Sequence, residues 1–207
     1  MPAAPAGPPS LEAAFPATLA PDVRAVAALL PPPPPYDDPR WEAHGDVRMP
    51  VRLYRGEPDP DVPAALTPRQ RLVLHCLYAL HPDGYVRQRH AAHVAGVVEP
   101  WAVPFVVRLT GEYVLEIVAD LRARLTGALA PGSEARRVYG RFAAEHPEFL
   151  AVTERRAVSY WNEYHRWRFP VFTDHPAAAV LELLRAAAVE TTGQAWPRQM
   201  RAGRGAC

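Results

Sequence analysis

Apolar side chains recur every three or four residues between positions 68 and 80, a spacing that predicts an amphipathic helix. Its apolar face consists of Leu72, Val73, Cys76, Leu77 and Leu80. Thr67 before Pro68 predicts where this helix begins, because threonine caps the first turn and proline needs no hydrogen-bond donor there. Pro82-Asp83-Gly84 ends the helix, and Asp83 is placed to cap a second helix that extends to about Val97.

A turn, an acidic residue, a Tyr-Val pair and an amphipathic helix follow one another twice. The first copy is His81-Pro82-Asp83-Gly84-Tyr85-Val86-Arg87, and the second, about 28 residues later, is Thr110-Gly111-Glu112-Tyr113-Val114-Leu115-Glu116. The helix of the second copy has one apolar face, formed by Val114, Ile117, Val118, Leu121 and Leu125. Such repetition predicts stacked helical hairpins, with Val86 and Val114 at equivalent buried positions. Arg87 is then expected to pair with a turn carbonyl or with a carboxylate such as Glu112.

Apolar and charged residues alternate on either side of Pro50. Val47, Met49, Val51 and Leu53 fall on one face, and Arg48 and Arg52 on the other. This period of two predicts a short extended or strand segment near residues 46–55. Because proline cannot donate a hydrogen bond to a neighbouring strand, we expect an edge strand or an extended arm.

The distribution of proline divides the chain into four parts. Residues 1–35 are rich in alanine and proline and end in five consecutive prolines, so we expect a disordered or Pro-rich arm. Residues 36–66 are predicted to form an extended connector, residues 67–190 an α-helical domain, and residues 191–207 a mobile tail. Within the helical domain, a long helix is expected from Phe149 to Arg168.

The segment from residue 67 to residue 125 resembles HEAT/armadillo-type α-helical repeats. In these repeats a leucine-rich helix, a turn with Asp and a second helix opening with Val-Arg follow one another, as Leu72 to Leu80, Asp83 and Val86-Arg87 do here. The second copy departs at Glu112 and Leu115, and the spacing is shorter than the roughly 40 residues usual for the family. The resemblance implies an all-α fold of HEAT-like stacked helical hairpins behind the proline-rich N-terminal arm.

The chain as a whole also resembles an uncharacterised bacterial protein family. The segments that carry this resemblance are 50–54, 81–87, 111–117 and 159–162. All 23 basic residues are arginine, which together with abundant alanine and proline is typical of a GC-rich bacterial genome. The resemblance implies no activity.

Charge and hydropathy bear on location and partners. The formal net charge is +1, so nothing attracts the whole chain to nucleic acid or to an anionic membrane. No apolar run approaches the roughly 18 residues of a spanning helix, and the N-terminal sequence lacks the features of a signal peptide. Cys76 and Cys207 form no disulfide framework, which is typical of a reducing compartment. We therefore expect a cytoplasmic protein without membrane contact.

Four residues are candidate metal ligands. His90 and His93 lie three apart on one predicted helix, and Glu112 and Glu116 lie four apart on a later one. They would bind a metal ion if the two helices packed side by side, as in helical bundles. However, no ExxH or HExxH motif is present, and the two glutamates lie on a stripe that is typical of a solvated helix face. The sequence therefore predicts no metal and no cofactor.

Residues 155–168 mix arginines with aromatic residues, a composition that nucleic-acid-binding proteins share. On a helical wheel, one face collects Ala157, Tyr160, Trp161 and Tyr164 and separates them from most of the arginines, which favours a core helix with these residues buried. Because the polar atoms of tyrosine and tryptophan need partners, this helix is the best candidate for a pocket. The residues predicted to line it are Tyr160, Tyr164, His165 and Trp167.

No GxSxG, GxGxxG or Walker motif is present, so the catalytic residues are unknown. The sequence favours a non-catalytic protein-interaction or scaffold module whose partner is another protein. The alternative is an enzyme or small-molecule binder that uses the Tyr/His/Trp-lined cleft. A nucleic-acid binder is the third interpretation.

Overall fold

The computed structural model describes residues 10–35 and 40–199, which are mostly helical. The helices are α1 (Ala20–Ala27), α2 (Val62–Ala65), α3 (Pro68–Tyr78), α4 (Gly84–Val94), α5 (Val103–Leu109), α6 (Leu115–Ala128), α7 (Glu134–Glu145), α8 (Pro147–Tyr160) and α9 (Pro176–Thr192). Two strands, β1 (Trp41–His44) and β2 (Val47–Pro50), form a small sheet. The fold is therefore mostly α-helical with a small β-sheet, rather than purely α-helical. None of the described helices is both long and apolar enough to cross a membrane.

The described residues form two compact units, divided between His93 and Val94. The first contains the sheet and the helices up to α4, and the second contains α5 to α9. The division falls within the stretch 67–190 that the sequence predicted as one helical domain, at the end of α4.

The strand predicted near residues 46–55 is present as β2, and it pairs antiparallel with β1. Trp41 lies opposite Pro50 and His44 opposite Val47, across a tight turn in which Gly45 adopts a φ of 64°. The proline therefore stands at the end of its strand, a position that proline tolerates. The strand β1 was not predicted, although Trp41, Glu42, Ala43 and His44 alternate between apolar and polar; four residues is the shortest run over which such alternation indicates a strand.

Residues 10–35 contain α1, although a disordered or Pro-rich arm was expected from residue 1 to residue 35. Val23 and Val26 of α1 are fully buried, and the helix packs against α3. Proline stands in the first turn of α1, where it is compatible with a helix. Residues 1–9, 36–39 and 200–207 lie outside the described residues, so the predictions that fall on them stay predictions.

The predicted start of α3 is confirmed in detail. The hydroxyl of Thr67 accepts a hydrogen bond from the Gln70 amide at 3.2 Å, and the Gln70 side chain accepts one from the Thr67 amide at 3.2 Å. The Asp83 carboxylate accepts from the Tyr85 amide at 2.8 Å, as expected of a cap of α4. Arg87 is fully buried and donates to the carbonyls of His81 and Pro82 at 2.7 and 2.8 Å. The side chain thereby ties α4 to the turn before it.

The core of the second unit lies between α7 and α9, whose backbones approach closely at Gly140. After α9, Gly193 adopts a φ of 77° and redirects the chain. Trp196 is then buried, and its indole N–H donates to Glu154 at 2.9 Å. Glu154 also accepts from Arg185 at 2.5 Å, and the Arg185 guanidinium lies 4.3 Å from the Trp196 ring centre. Residues 191–199 of the predicted mobile tail are thus anchored through Trp196.

Candidate functional site: an aromatic surface in the second unit

The predicted long helix from Phe149 to Arg168 changes character after α8. Residues Trp161–His165 form a π-helical turn, which is wider than an α-helical turn. The wheel that placed both Tyr160 and Tyr164 in the core assumed a regular α-helix. In the structure Tyr160 is half-buried and Tyr164 is 52% exposed, so that part of the prediction was wrong. π-Turns within α-helices are frequent at functional sites.

Three tyrosines form a cluster at this turn. The ring centres of Tyr160 and Tyr164 lie 6.1 Å apart, and Tyr113 joins them at 5.8 and 6.2 Å. Trp167 is 83% exposed and donates its indole N–H to the Tyr164 carbonyl at 3.0 Å. We call Tyr113, Tyr160, Tyr164 and Trp167 the aromatic surface. Three of the four predicted pocket residues, Tyr160, Tyr164 and Trp167, belong to this set.

The fourth predicted pocket residue, His165, is buried and pairs with His175. Nδ1 of His175 accepts from the Ala177 amide at 3.3 Å, so the proton of this imidazole resides on Nε2. That Nε2 lies 3.1 Å from Nδ1 of His165 and donates to it. His165 therefore carries its own proton on Nε2, which donates to the backbone carbonyl of Tyr113. Every ring nitrogen of the pair has a partner.

Burial keeps this histidine pair neutral. It lowers the pKa of His175 to about 4, with a further contribution from His165. It also lowers the pKa of His165, although Glu116 acts in the opposite direction. Because both rings are neutral and no lone pair is left over, His165 can serve neither as a general base nor as a metal ligand while this geometry holds. Its role is to hold the π-turn against Tyr113 and the start of α9.

A second contact anchors the same segment. The indole of Trp161 is buried and donates to the Phe169 carbonyl at 2.7 Å, across the end of the π-turn. The exposed side chains of the aromatic surface therefore project from a backbone that is fixed on two sides. The sequence singled out Tyr113 only as part of the repeated motif and missed His175. The one available signal was its position directly before Pro176, since a residue that precedes a helix-starting proline commonly caps the helix.

The four candidate metal ligands belong to different units. His90 and His93 lie in the first unit, whereas Glu112 and Glu116 lie in the second. Glu112 is buried, with its Oε1 3.6 Å from Nη1 of Arg108, whereas Glu116 is exposed. Within residues 10–35 and 40–199, no three His, Cys, Asp or Glu side chains are arranged to hold a metal ion together.

The first unit instead contains a histidine cluster that the sequence identified only in part. Nδ1 of His75 lies 2.9 Å from Nδ1 of His90, and the ring of His93 stacks on His75 with centres 4.1 Å apart. Nε2 of His90 lies 3.6 Å from Glu57, which also accepts from Arg89 at 2.5 Å. His75 lies in α3 and Glu57 before α2, so their approach to α4 depends on packing that sequence spacing does not encode.

The chain matches no known protein-family model, no curated protein and no solved structure at a significant level. Its function must therefore be inferred from the geometry of its own side chains.

Proposed function

We propose that this protein is a non-catalytic protein-interaction module that binds its partner through the aromatic surface. The observation that carries this proposal is Trp167, a tryptophan with 83% of its surface exposed, whose indole is hydrogen-bonded to the backbone of Tyr164; the exposed ring of Tyr164 in turn lies 6.2 Å from that of Tyr113. Burying such residues releases much apolar surface, and tyrosine, tryptophan and arginine dominate the binding energy of protein interfaces.

The rigidity of the supporting backbone supports the same proposal. Binding usually costs about 0.5–1.5 kcal/mol for each flexible side chain that becomes immobilised. The tyrosine rings already contact one another, and the Trp167 indole is already hydrogen-bonded to Tyr164. The His165–His175 pair holds the turn from which they project. Less conformational freedom is therefore lost when a partner covers this surface.

The charges around the aromatic surface indicate the chemistry of the partner. Residues 155–168 contain three exposed arginines, Arg155, Arg166 and Arg168. The one exposed acidic residue in this segment is Glu163. The guanidinium of Arg168 lies 5.6 Å from the ring centre of Phe169, and that of Arg166 lies 5.8 Å from the ring centre of Trp161. These cation–π contacts hold both guanidiniums against rings that neighbour the aromatic surface in sequence. The partner we propose is an acidic polypeptide segment with an apolar or aromatic anchor.

A displayed library of random peptides, panned against the full chain, tests the proposal. We expect the selected peptides to be acidic and to contain an aromatic or large aliphatic residue. Their affinity, measured by fluorescence anisotropy, should fall at least tenfold in Trp167→Ala and should weaken as salt increases. Val189→Ala is the matched control, since Val189 is 52% exposed on α9 and lies outside the aromatic surface.

Two results would contradict the proposal. Selected peptides that bind Trp167→Ala and the parent chain equally would show that the aromatic surface is not the contact. A labelled single-stranded oligonucleotide that binds more tightly than the peptides, with loss in Arg166→Ala, would favour a nucleic-acid partner.

We further propose that residues 67–125 are a HEAT-like pair of hairpins and that the protein acts in a bacterial cytoplasm. The buried Val86 and the Arg87 contacts to the turn support the first hairpin. The second copy is less regular, because Val114 is only half-buried and precedes α6 as its cap. The location rests on composition alone.

A further inference from the structure

The proton positions in the histidine cluster of the first unit can be assigned from its contacts. Because Nδ1 of His75 and Nδ1 of His90 lie 2.9 Å apart, one of them carries the hydrogen between them. Nε2 of His90 lies 3.6 Å from the Glu57 carboxylate. A carboxylate attracts an N–H and repels a lone pair, so His90 carries its proton on Nε2. Its Nδ1 is then the acceptor, and Nδ1 of His75 is the donor.

This assignment leaves a lone pair on Nε2 of His75. Among the described residues, no hydrogen bond is made to that nitrogen, and His75 itself is only half-buried. His93, which is exposed, stacks its ring on the face of the His75 ring at an angle of 13°. The half-buried ring of His75, which His90 orients, and the exposed ring of His93 thus lie face to face.

We propose that His75 and His93 bind a divalent transition-metal ion, with water in its remaining coordination positions. Imidazole suits zinc, copper and nickel. Two nitrogens bound to one zinc ion at about 2.0–2.1 Å lie roughly 3.3 Å apart in tetrahedral geometry. The ring centres are 4.1 Å apart and the rings are nearly parallel, so binding requires the exposed His93 side chain to rotate until one of its nitrogens and Nε2 of His75 point at the same ion. This site is independent of the aromatic surface.

The residues behind His75 resemble the outer shell of known metal sites. A metal-binding histidine commonly donates its second N–H to a carboxylate, carbonyl or water, which fixes the ring and its tautomer. Here the N–H of His75 points to His90, whose own N–H faces Glu57.

The surrounding charges are compatible with a bound cation. Arg71 and Arg89 are the arginines whose charge acts on this cluster. Arg71 donates to the carbonyls of Pro63 and Leu66, and Arg89 donates to Glu57. Both guanidiniums are therefore engaged with oxygen acceptors. Since only two protein ligands contribute, the site leaves open positions and binds more weakly than a three- or four-ligand structural site.

Calorimetric titration of the full, tag-free chain with zinc chloride tests the proposal. We expect one zinc ion per chain, with affinity reduced at least tenfold in His93→Ala, in which only an exposed side chain is shortened. Glu57→Gln should weaken binding by about tenfold, because it perturbs the tautomer of His90 without removing a ligand. His44→Gln, a change to a histidine of β1 outside the cluster, should bind as the parent chain does.

Paramagnetic broadening of histidine ring NMR signals by substoichiometric copper provides a readout that needs no His75 variant. The signals of His75 and His93 should broaden before those of the other histidines. Zinc binding that is unchanged in His93→Ala, or copper broadening that spares both rings, would overturn the proposal. Equal losses in His93→Ala and His44→Gln would do the same, since they would indicate diffuse binding to surface histidines.

Discussion

The contact between α7 and α9 predicts that the same substitution, glycine to alanine, has opposite effects at two helical positions. A methyl group added at Gly140 would lie 2.3 Å from the Ala187 carbonyl oxygen and 2.6 Å from its carbon. The nearest ordinary van der Waals contact is 3.4 Å, so the helices would have to separate by about 1.1 Å, which is 3.4 minus 2.3. Because the obstacle is backbone, no side-chain rotation relieves it.

Two terms decide the magnitude at Gly140. Alanine is the better helix former by about 1 kcal/mol, which favours the variant. Overpacking a close-packed interior typically costs 1–3 kcal/mol and sometimes more, and a rigid backbone contact belongs at the upper end. An overpacking cost of about 3 kcal/mol less a helix-propensity gain of about 1 kcal/mol leaves a net loss of about 2 kcal/mol in the free energy of unfolding of Gly140→Ala. Gly127 is the control, because it is exposed in α6 and an added methyl group meets nothing within 4 Å. Gly127→Ala should stabilise by roughly 0.4–1 kcal/mol.

Urea denaturation followed by circular dichroism measures both variants against the parent chain. A third variant, Gly140→Ala with Thr191→Ala, removes the hydroxyl that would lie 2.5 Å from the new methyl group but leaves the Ala187 carbonyl in place. It should therefore fail to restore stability. If Gly140→Ala proves as stable as Gly127→Ala, the two helices do not approach as closely as the structure indicates, and the reasoning is refuted.

Two further predictions concern buried polar groups of the second unit. The folded-state pKa of His175, about 4, lies below its unfolded value of roughly 6.5, so stability should be complete above pH 6.5 and decline as pH falls toward 4. In urea melts, His175→Asn, which retains an acceptor for the Ala177 amide, should show a shallower decline; an equally steep one would exclude this pair as its source. Trp196→Ala should cost about 3–5 kcal/mol, because it removes a buried ring from the Glu154–Arg185 pair, whereas Trp196→Phe should cost clearly less. Equal stability of Trp196→Ala and the parent chain in the same melts would instead indicate that the segment after α9 detaches.

The elements that sequence predicted correctly are those that local chemistry determines. The start of α3 depends on Thr67 and Gln70, three residues apart, and the cap of α4 depends on Asp83 and Tyr85. In each case the donor and the acceptor lie within one helical turn. The strand β2 was likewise visible in the alternation around Pro50, whereas the alternation in β1 covers only the four residues 41–44 and was too short to single out.

Long-range packing explains what the sequence could not predict. The partners of Trp196 are 42 residues away at Glu154 and 11 residues away at Arg185. Because both contacts are distant in sequence, the composition of the terminal segment does not reveal that it is anchored. The π-turn at Trp161–His165 is another such case, because periodicity analysis assumes a constant turn and therefore misplaced Tyr164. The pocket predicted from that wheel is accordingly an exposed aromatic surface with a buried histidine behind it.

The two histidine pairs show how similar geometry leads to different chemistry. Their nitrogens lie 2.9 Å apart in His75–His90 and 3.1 Å apart in His165–His175, and burial lowers the pKa values in both. The difference lies at the ends of each hydrogen-bonded chain. In the second unit a backbone amide and a backbone carbonyl occupy the terminal nitrogens, so the pair can only support structure. In the first unit Glu57 occupies one end, and the lone pair of His75 at the other end is what makes ligand binding chemically reasonable there.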